Sequence, residues 1–245
     1  MALYAIGDTH LSLTSNKPMD VFGGGWAGYV DKLRQGFACV RPEDTVVLCG
    51  DLSWGMSLQE AREDFAFLDA LPGKKLLMKG NHDYWWTSMK KLGELCADEG
   101  FTTLRFLYNN AFEVETFIVA GSRGWYIDES NRRMPENADY QKIVAREAIR
   151  LEISLNEAVK LREKRLSETG EKREILVFLH FPPDFRGYVC EEITAVLKKF
   201  GIKRCFFGHI HGVYDIPLRT YSDGIEYTIT SADYLDFKPL KIEPF

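Results

Sequence analysis

The chain alternates short apolar runs with longer amphipathic segments, and no other feature narrows its fold as much. Leu3–Ile6, Val46–Cys49, Leu76–Met78, Ile175–Leu179 and Cys205–Phe207 are each too short for a stable helix. They lead directly into Gly7, Gly50, Lys79-Gly80, His180 and Gly208. Runs of that length, apolar throughout, read as strands buried on both faces. Between them Trp26–Val40, Leu58–Leu71, Trp86–Glu99 and Glu191–Phe200 read as helices, the second stopped by Pro72-Gly73. Strands alternating with helices predict the α/β class.

Phe101–Gly121 alternates polar and apolar residues and reads as strands, a hairpin with its turn at Asn109-Asn110. Tyr227–Thr230 and Leu240–Ile242 read as closing strands. Residues 137–167 read as a long charged helical segment, unbroken or in two parts, with Tyr140, Val144, Ala148, Leu151, Leu155 and Ala158 at three- and four-residue steps. Such a segment is either a solvated helix with one narrow packing face or a lid or partner-binding element. No repeat, low-complexity tract or linker interrupts the chain, so residues 1–245 are expected to form a single domain.

A chain of 245 residues with 45% apolar and 27% charged residues can fill a large core. Its net charge of −5 argues against a broad nucleic-acid footprint. The first residues contain neither a basic segment nor a long apolar run, so no signal peptide is expected, and no stretch is apolar enough to span a membrane. Cys39, Cys49, Cys96, Cys190 and Cys205 are odd in number and lack a C-x-x-C pair. Free thiols and a cytoplasmic location are the expectation.

The histidines carry the chemistry. The chain has five, His10, His82, His180, His209 and His211, and each lies at or just past the end of an apolar run. Asp8-Thr9-His10, Asp51, Asn81-His82-Asp83, His180 and His209-Ile210-His211 follow the five runs in order. Largely parallel strands would place these side chains along one sheet edge, where α/β folds form their ligand sites. Imidazole, carboxylate and amide oxygen together suit manganese, iron or zinc. The set is too large for one tetrahedral ion. It suits two ions that share a bridging carboxylate and leave positions open for water, an arrangement that clamps a phosphoryl group. Two divalent ions, Asp8, Asp51 and a bridging hydroxide sum to a small positive charge, which favours an anionic ester.

The series Gly7-Asp8-Thr9-His10, Gly50-Asp51, Gly80-Asn81-His82-Asp83, His180 and Gly208-His209-Ile210-His211 resembles the calcineurin-like metallophosphoesterases. That resemblance implies a four-layer α/β/β/α sandwich with the site at the C-terminal ends of the strands. It implies that Asp8, His10 and His211 hold a first divalent ion, that Asn81, His180 and His209 hold a second, and that Asp51 bridges them. The ions would be Mn²⁺, Fe²⁺/Fe³⁺ or Zn²⁺. It implies hydrolysis of a phosphomonoester or phosphodiester by in-line attack of a metal-bridging hydroxide, with His82 as the catalytic residue facing the leaving-group oxygen. The protein Ser/Thr phosphatases of that superfamily carry an Asp and then an Arg where this chain has Trp54 and Gly55. The departure favours a small phosphoester or nucleotide as substrate over a phosphoprotein. Asp51-Leu52-Ser53-Trp54, Asn81-His82-Asp83-Tyr84-Trp85-Trp86 and His180-Phe181-Pro182-Pro183 resemble a group of uncharacterised bacterial predicted phosphohydrolases. A nuclease on the same centre is one alternative, and a non-catalytic scaffold is another, which retention of every ligand argues against.

Around these residues, Trp54, Tyr84, Trp85 and Trp86 are either core packing or an aromatic wall. Phe22-Gly23-Gly24-Gly25 is either a mobile rim or a turn. Trp54 and Arg123 are candidate substrate-binding residues, with Arg132, Arg133 and Arg186 as rival phosphate clamps.

Overall fold

Apolar strands without alternation need cover on both faces, and the fold supplies it in four layers. The computed structural model describes residues 1–15, 17, 19–125 and 140–244. The chain runs through β1 (Leu3–Ile6), α1 (Tyr29–Gly36), β2 (Thr45–Leu48), α2 (Leu58–Ala70), β3 (Lys74–Leu77), α3 (Met89–Glu99) and β4 (Leu104–Phe106). It continues through β5 (Ala111–Val114), β6 (Phe117–Ser122), α4 (Tyr140–Thr169), β7 (Glu174–Leu179), β8 (Asp184–Phe185), β9 (Tyr188–Val189) and α5 (Glu191–Lys199). It closes with β10 (Arg204–Phe207), β11 (Arg219–Ser222), β12 (Ile225–Ile229) and β13 (Leu240–Ile242). One sheet has the order β13-β1-β2-β3-β4 and the other β11-β12-β10-β7-β6-β5, while β8 and β9 form a small separate ribbon. Strands β1 to β4 are mutually parallel, as are β6, β7, β10 and β12, and the antiparallel strands β13, β5 and β11 take edge positions.

Alternate residues of each strand divide among three apolar layers. Leu3, Ala5, Val47 and Leu76 of the first sheet meet Val119, Leu176, Phe178 and Phe206 of the second. Tyr4, Ile6, Val46, Leu48 and Leu77 point the other way, onto Leu33, Phe65 and Leu92 of α1, α2 and α3. On the far side Ile118, Val177, Cys205 and Tyr227 pack on Leu151 and Leu155 of α4 and Leu197 of α5. Each fully buried aliphatic side chain contributes about 1.5–3 kcal/mol relative to exposure. The family expectation of an α/β/β/α sandwich is met.

All five expected strands form, displaced by no more than two residues at an end. Trp26–Val40 shortens to α1, because Gly28 at φ 64° starts it late and the stretch Phe37–Cys39 tightens into a 3₁₀ turn. The expected hairpin turn at Asn109-Asn110 is corrected. That pair joins β4 in one sheet to β5 in the other, and the hairpin turns instead at Glu115-Thr116, with Glu115 at φ 54°. The long helix is continuous over α4, about 45 Å at 1.5 Å per residue. Residues 137–139 of the expected span lie outside the described residues. Its buried stripe is Val144, Glu147, Leu151, Ser154, Leu155 and Ala158. Ser154 Oγ accepts the Gly121 N–H (2.9 Å) and donates to the Asn110 carbonyl (2.7 Å), which ties the helix to the second sheet. The cysteines are free, with Cys49, Cys190 and Cys205 buried and Cys39 exposed. No helix among the described residues is long and apolar enough to cross a membrane.

Candidate metal centre

Parallel strands end on one side, and the two sheets face each other, so five strand ends converge. Asp8 and His10 follow β1, Asp51 follows β2, Asn81 follows β3, His180 follows β7, and His209 and His211 follow β10. Four of these residues sit in the left-handed region: Asp8 (φ 58°), His10 (φ 44°), Asp51 (φ 51°) and His209 (φ 70°). That conformation costs a non-glycine residue about 1–2 kcal/mol, and such strain collects at functional sites. Glycines let the loops close in. A Cβ on Gly80 would lie 2.1 Å from Asp51 Oδ1, and one on Gly208 would lie 2.5 Å from Asp8 Oδ2.

The side chains form two overlapping groups. Donor atoms of Asp8, His10, Asp51 and His211 lie within 4.8 Å of one another, and so do those of Asp51, His180 and His209. Asp51 belongs to both. Its Oδ1 accepts the His82 N–H at 2.7 Å. Its Oδ2 is buried with no hydrogen-bond partner, 3.8 Å from His10 Nε2 and 3.5 Å from His180 Nε2. Asn81 Oδ1 lies 2.7 Å from His180 Nε2.

This donor set fits divalent cations. The His180 Nδ1 donates to the Cys49 carbonyl at 3.0 Å, which assigns the lone pair to Nε2. A lone pair 2.7 Å from an amide oxygen is repulsive unless a cation or proton lies between them. His10 Nε2 lies 3.1 Å from His211 Nε2, so the two imidazoles bring their ring nitrogens to one point. Burial pushes the His180 and His209 imidazoles down to about 3 and lowers His10 as well, so all three are neutral bases at neutral pH. His211 moves the other way. Burial opposes its charge, but the Asp8 carboxylate and the bond to Asp233 raise it to about 10. The site therefore attracts positive charge at that corner.

His82 stands beside the ligands rather than among them. Its ring centroid lies 4.5 Å from Trp54 and 6.1 Å from Tyr84, and its buried Nδ1 has no partner. Aromatic packing and its own backbone bond to Asp51 hold it in place. Burial, with His211 nearby, lowers its basicity. Trp54 stacks on His10 at 4.9 Å and 24°, so it is a wall against the ligands themselves. A cleft of about 330 Å³ opens above His10, His82 and His211, walled by Phe22, Trp26 and Tyr214. The glycine stretch before Trp26 is a pair of 3₁₀ turns, and Phe22 and Trp26 from those turns face the cleft. Arg123 lies next to His180, and its carbonyl accepts the His180 N–H at 3.1 Å. Its guanidinium turns to Glu147 on α4 (3.3 Å). Arg186 is exposed and pairs with Asp215 at 3.0 Å, and Arg132 and Arg133 lie outside the described residues.

The pattern of the family described as calcineurin-like phosphoesterase matches residues 1–213. The chain belongs to the calcineurin-like phosphoesterase family. No curated protein matches it. Among solved structures it is similar to a protein of unknown function, AQ665 from Aquifex aeolicus, with 18% identity, 98% of this chain and 95% of that one covered, and a TM-score of 0.47. A second structure, at 12% identity, covers 92% of this chain and 88% of its own, with a TM-score of 0.52, and supports the fold alone.

Within the calcineurin-like framework the structure explains the departure at Gly55. A Cβ there would lie 2.7 Å from the Ala61 backbone nitrogen, so the first turn of α2 leaves no room for an arginine. It also brings in two carboxylates that the sequence left without a role. Asp83 is fully buried. Its Oδ2 accepts from Asp51 N (2.9 Å) and Gly80 N (2.7 Å). Its Oδ1 accepts from Leu52 N (2.8 Å), Ser53 N (3.4 Å) and Trp85 Nε1 (3.1 Å). One side chain thus clamps the loops that carry Asp51 and Asn81. Asp233, just past β12, lies 3.3 Å from His211 Nδ1 and accepts from Gly212 N (2.9 Å) and the Tyr214 hydroxyl (3.0 Å). It orients His211 with Nε2 toward Asp8. Asp83 was visible as part of Asn81-His82-Asp83, but three of its partners, Asp51, Leu52 and Ser53, lie about thirty residues away. Asp233 has no local signal.

Proposed function

We propose that the chain is a dinuclear metal-dependent phosphohydrolase acting on a phosphomonoester or phosphodiester of a small molecule or nucleotide. Asp8, His10 and His211 would hold one divalent ion and Asn81, His180 and His209 the other, with Asp51 between them. The observation that carries this reading is the buried, unpartnered Asp51 Oδ2, common to both ligand groups. Such ions, when bound, supply an activated water and neutralise charge on the phosphoryl group. Mn²⁺, Fe²⁺/Fe³⁺ and Zn²⁺ all suit the donors.

The remaining work falls to this chain's own groups. His82, fixed against Trp54, presents a ring nitrogen to the cleft, where it donates a proton or hydrogen bond to the departing oxygen. An anionic ester close to the ring favours its protonated form and offsets the effect of burial. Trp54 and Tyr84 keep water from the ring's sides. Asp233 holds His211, and Asp83 fixes the spacing between Asp51 and Asn81. The free cysteines accord with a reducing, cytoplasmic setting.

The test is to load the protein with Mn²⁺, count bound metal, and assay aryl phosphomonoesters and phosphodiesters beside His82→Ala and Asp51→Asn. The wild type should bind two ions and turn over at least one ester class. His82→Ala should keep its metal and lose about 10²–10⁴ in rate, and Asp51→Asn should lose metal. A wild type that binds no metal and cleaves no phosphoester ends the proposal.

A further inference from the structure

We propose that the cleft above His82 takes a flat aromatic group of the substrate, so that the hydrolysed ester is an aryl or nucleoside phosphate rather than a sugar or polyol phosphate. This rests on the phosphohydrolase reading, because the histidines on the cleft floor fix where the phosphoryl group lies.

The cleft is about 330 Å³, enough for a ring of nucleobase size beside a phosphoryl group. Its walls are aromatic and thioether side chains: Met19, Phe22, Trp26, Trp54 and Tyr214. Phe22 and Tyr214 are 69% and 58% exposed, large aromatic surfaces held open to water at the mouth. Trp54 is not the stacking platform. One contact of its ring is His10, stacked at 4.9 Å, and another is the Lys17 ammonium at 5.2 Å. Phe22 and Tyr214 supply the stacking faces instead, and offset or edge packing of an entering ring on them is favourable.

Apart from the histidines on the floor, which face the phosphoryl group, the polar groups of the walls are already committed. The Tyr214 hydroxyl and the Gly212 N–H both donate to Asp233, and the Trp54 indole N–H points at Met19 Sδ (3.1 Å). A polyol entering here would lose its bonds to water and find few replacements, which costs free energy for each hydroxyl. A flat ring loses little and covers the exposed aromatic surface. The open mouth leaves the edge of a heterocycle in contact with water, so a nucleobase meets no penalty that a phenyl ring escapes. Because His82 lines the same cleft, the ring lies on the leaving-group side, where His82 meets the ester oxygen.

Non-hydrolysable phosphonates read this without turnover. Titrate the Mn²⁺-loaded protein calorimetrically with phenylphosphonate and with methylphosphonate, for the wild type, Phe22→Ala and Tyr214→Ala. Phenylphosphonate should bind the wild type about tenfold more tightly, the effect of burying one ring. That ratio should fall toward one in Phe22→Ala, whose exposed position makes misfolding no obstacle. Equal affinities in the wild type, or a ratio untouched by both variants, overturns the proposal. Preference for phenylphosphonate with no ester hydrolysed supports the cleft and overturns the hydrolase reading. Turnover without that preference does the reverse.

Discussion

Replacing Asp83 by Asn tests the clamp between the two ligand loops. The two side chains have the same shape, but the amide has one acceptor oxygen and turns an NH₂ group toward N–H donors. With the NH₂ at the Oδ2 position, Asp51 N and Gly80 N lose their acceptor. With the NH₂ at the Oδ1 position, Leu52 N and the Trp85 indole lose theirs, along with the longer Ser53 contact. Either way at least two buried donors are stranded, at about 1–3 kcal/mol each, or roughly 2–6 kcal/mol in all. A domain of this size has about 5–15 kcal/mol of net stability, and each kcal/mol moves its melting point by about 2–4 °C. The expected fall is therefore about 5–20 °C. Burial pushes the Asp83 carboxyl up to about 6 against the pull of its N–H donors, so the measurement belongs at pH 8, where the folded chain keeps it ionised. Thermal unfolding by circular dichroism in chelator isolates the hydrogen-bond effect from any loss of metal. A variant melting within about 2 °C of wild type would refute the clamp.

Asp233→Asn should lower Mn²⁺ affinity about 10–100-fold in a chelator-buffered titration, because His211 loses the carboxylate that orients it, while Tyr214→Phe, which removes one donor to Asp233, should change it far less. Adding Mn²⁺ at about a hundred times its dissociation constant should stabilise the fold by about 2.7 kcal/mol for each ion bound, and an unchanged melting temperature would count against a metal held by the native state alone.

The clustering of the candidate ligands was legible because each lies at or just past the end of a run buried on both faces, and such runs leave a continuous apolar signature in the sequence. The same property hid the division into two sheets. Leu76 and Leu77 are both apolar, yet one faces the second sheet and the other faces the helices, and nothing local separates them. Turn chemistry misled at Asn109-Asn110, where a change of sheet uses the same residues as a hairpin. The true turn places Glu115, a poor candidate, at positive φ because strand pairing from Ala111↔Ala120 to Val114↔Phe117 holds it there. The edge strand β11 was missed because Arg219–Ser222 is polar and mostly exposed. Asp233 was unreadable in principle: its role depends on packing that brings residues on either side of β12 together.

The two sheets contribute different chemistry to the centre. The first supplies Asp8, Asp51 and Asn81, oxygen donors all, together with His10, while the second supplies the imidazoles of His180, His209 and His211. Neither sheet alone carries a complete ligand group, since Asp8, His10 and Asp51 need His211, and His180 and His209 need Asp51. The distance across the inter-sheet core therefore sets the geometry of the site. The approach between the sheets is close and leaves little tolerance: a Cβ on Gly121 would lie 3.0 Å from Met78 Cε of the opposite sheet, and one on Gly50 would lie 2.9 Å from His180 Nδ1. Interiors packed to this density transmit small displacements rather than absorb them. The glycines and the inter-sheet apolar layer are thus as much a condition of the proposed metal centre as the residues that would touch the ions.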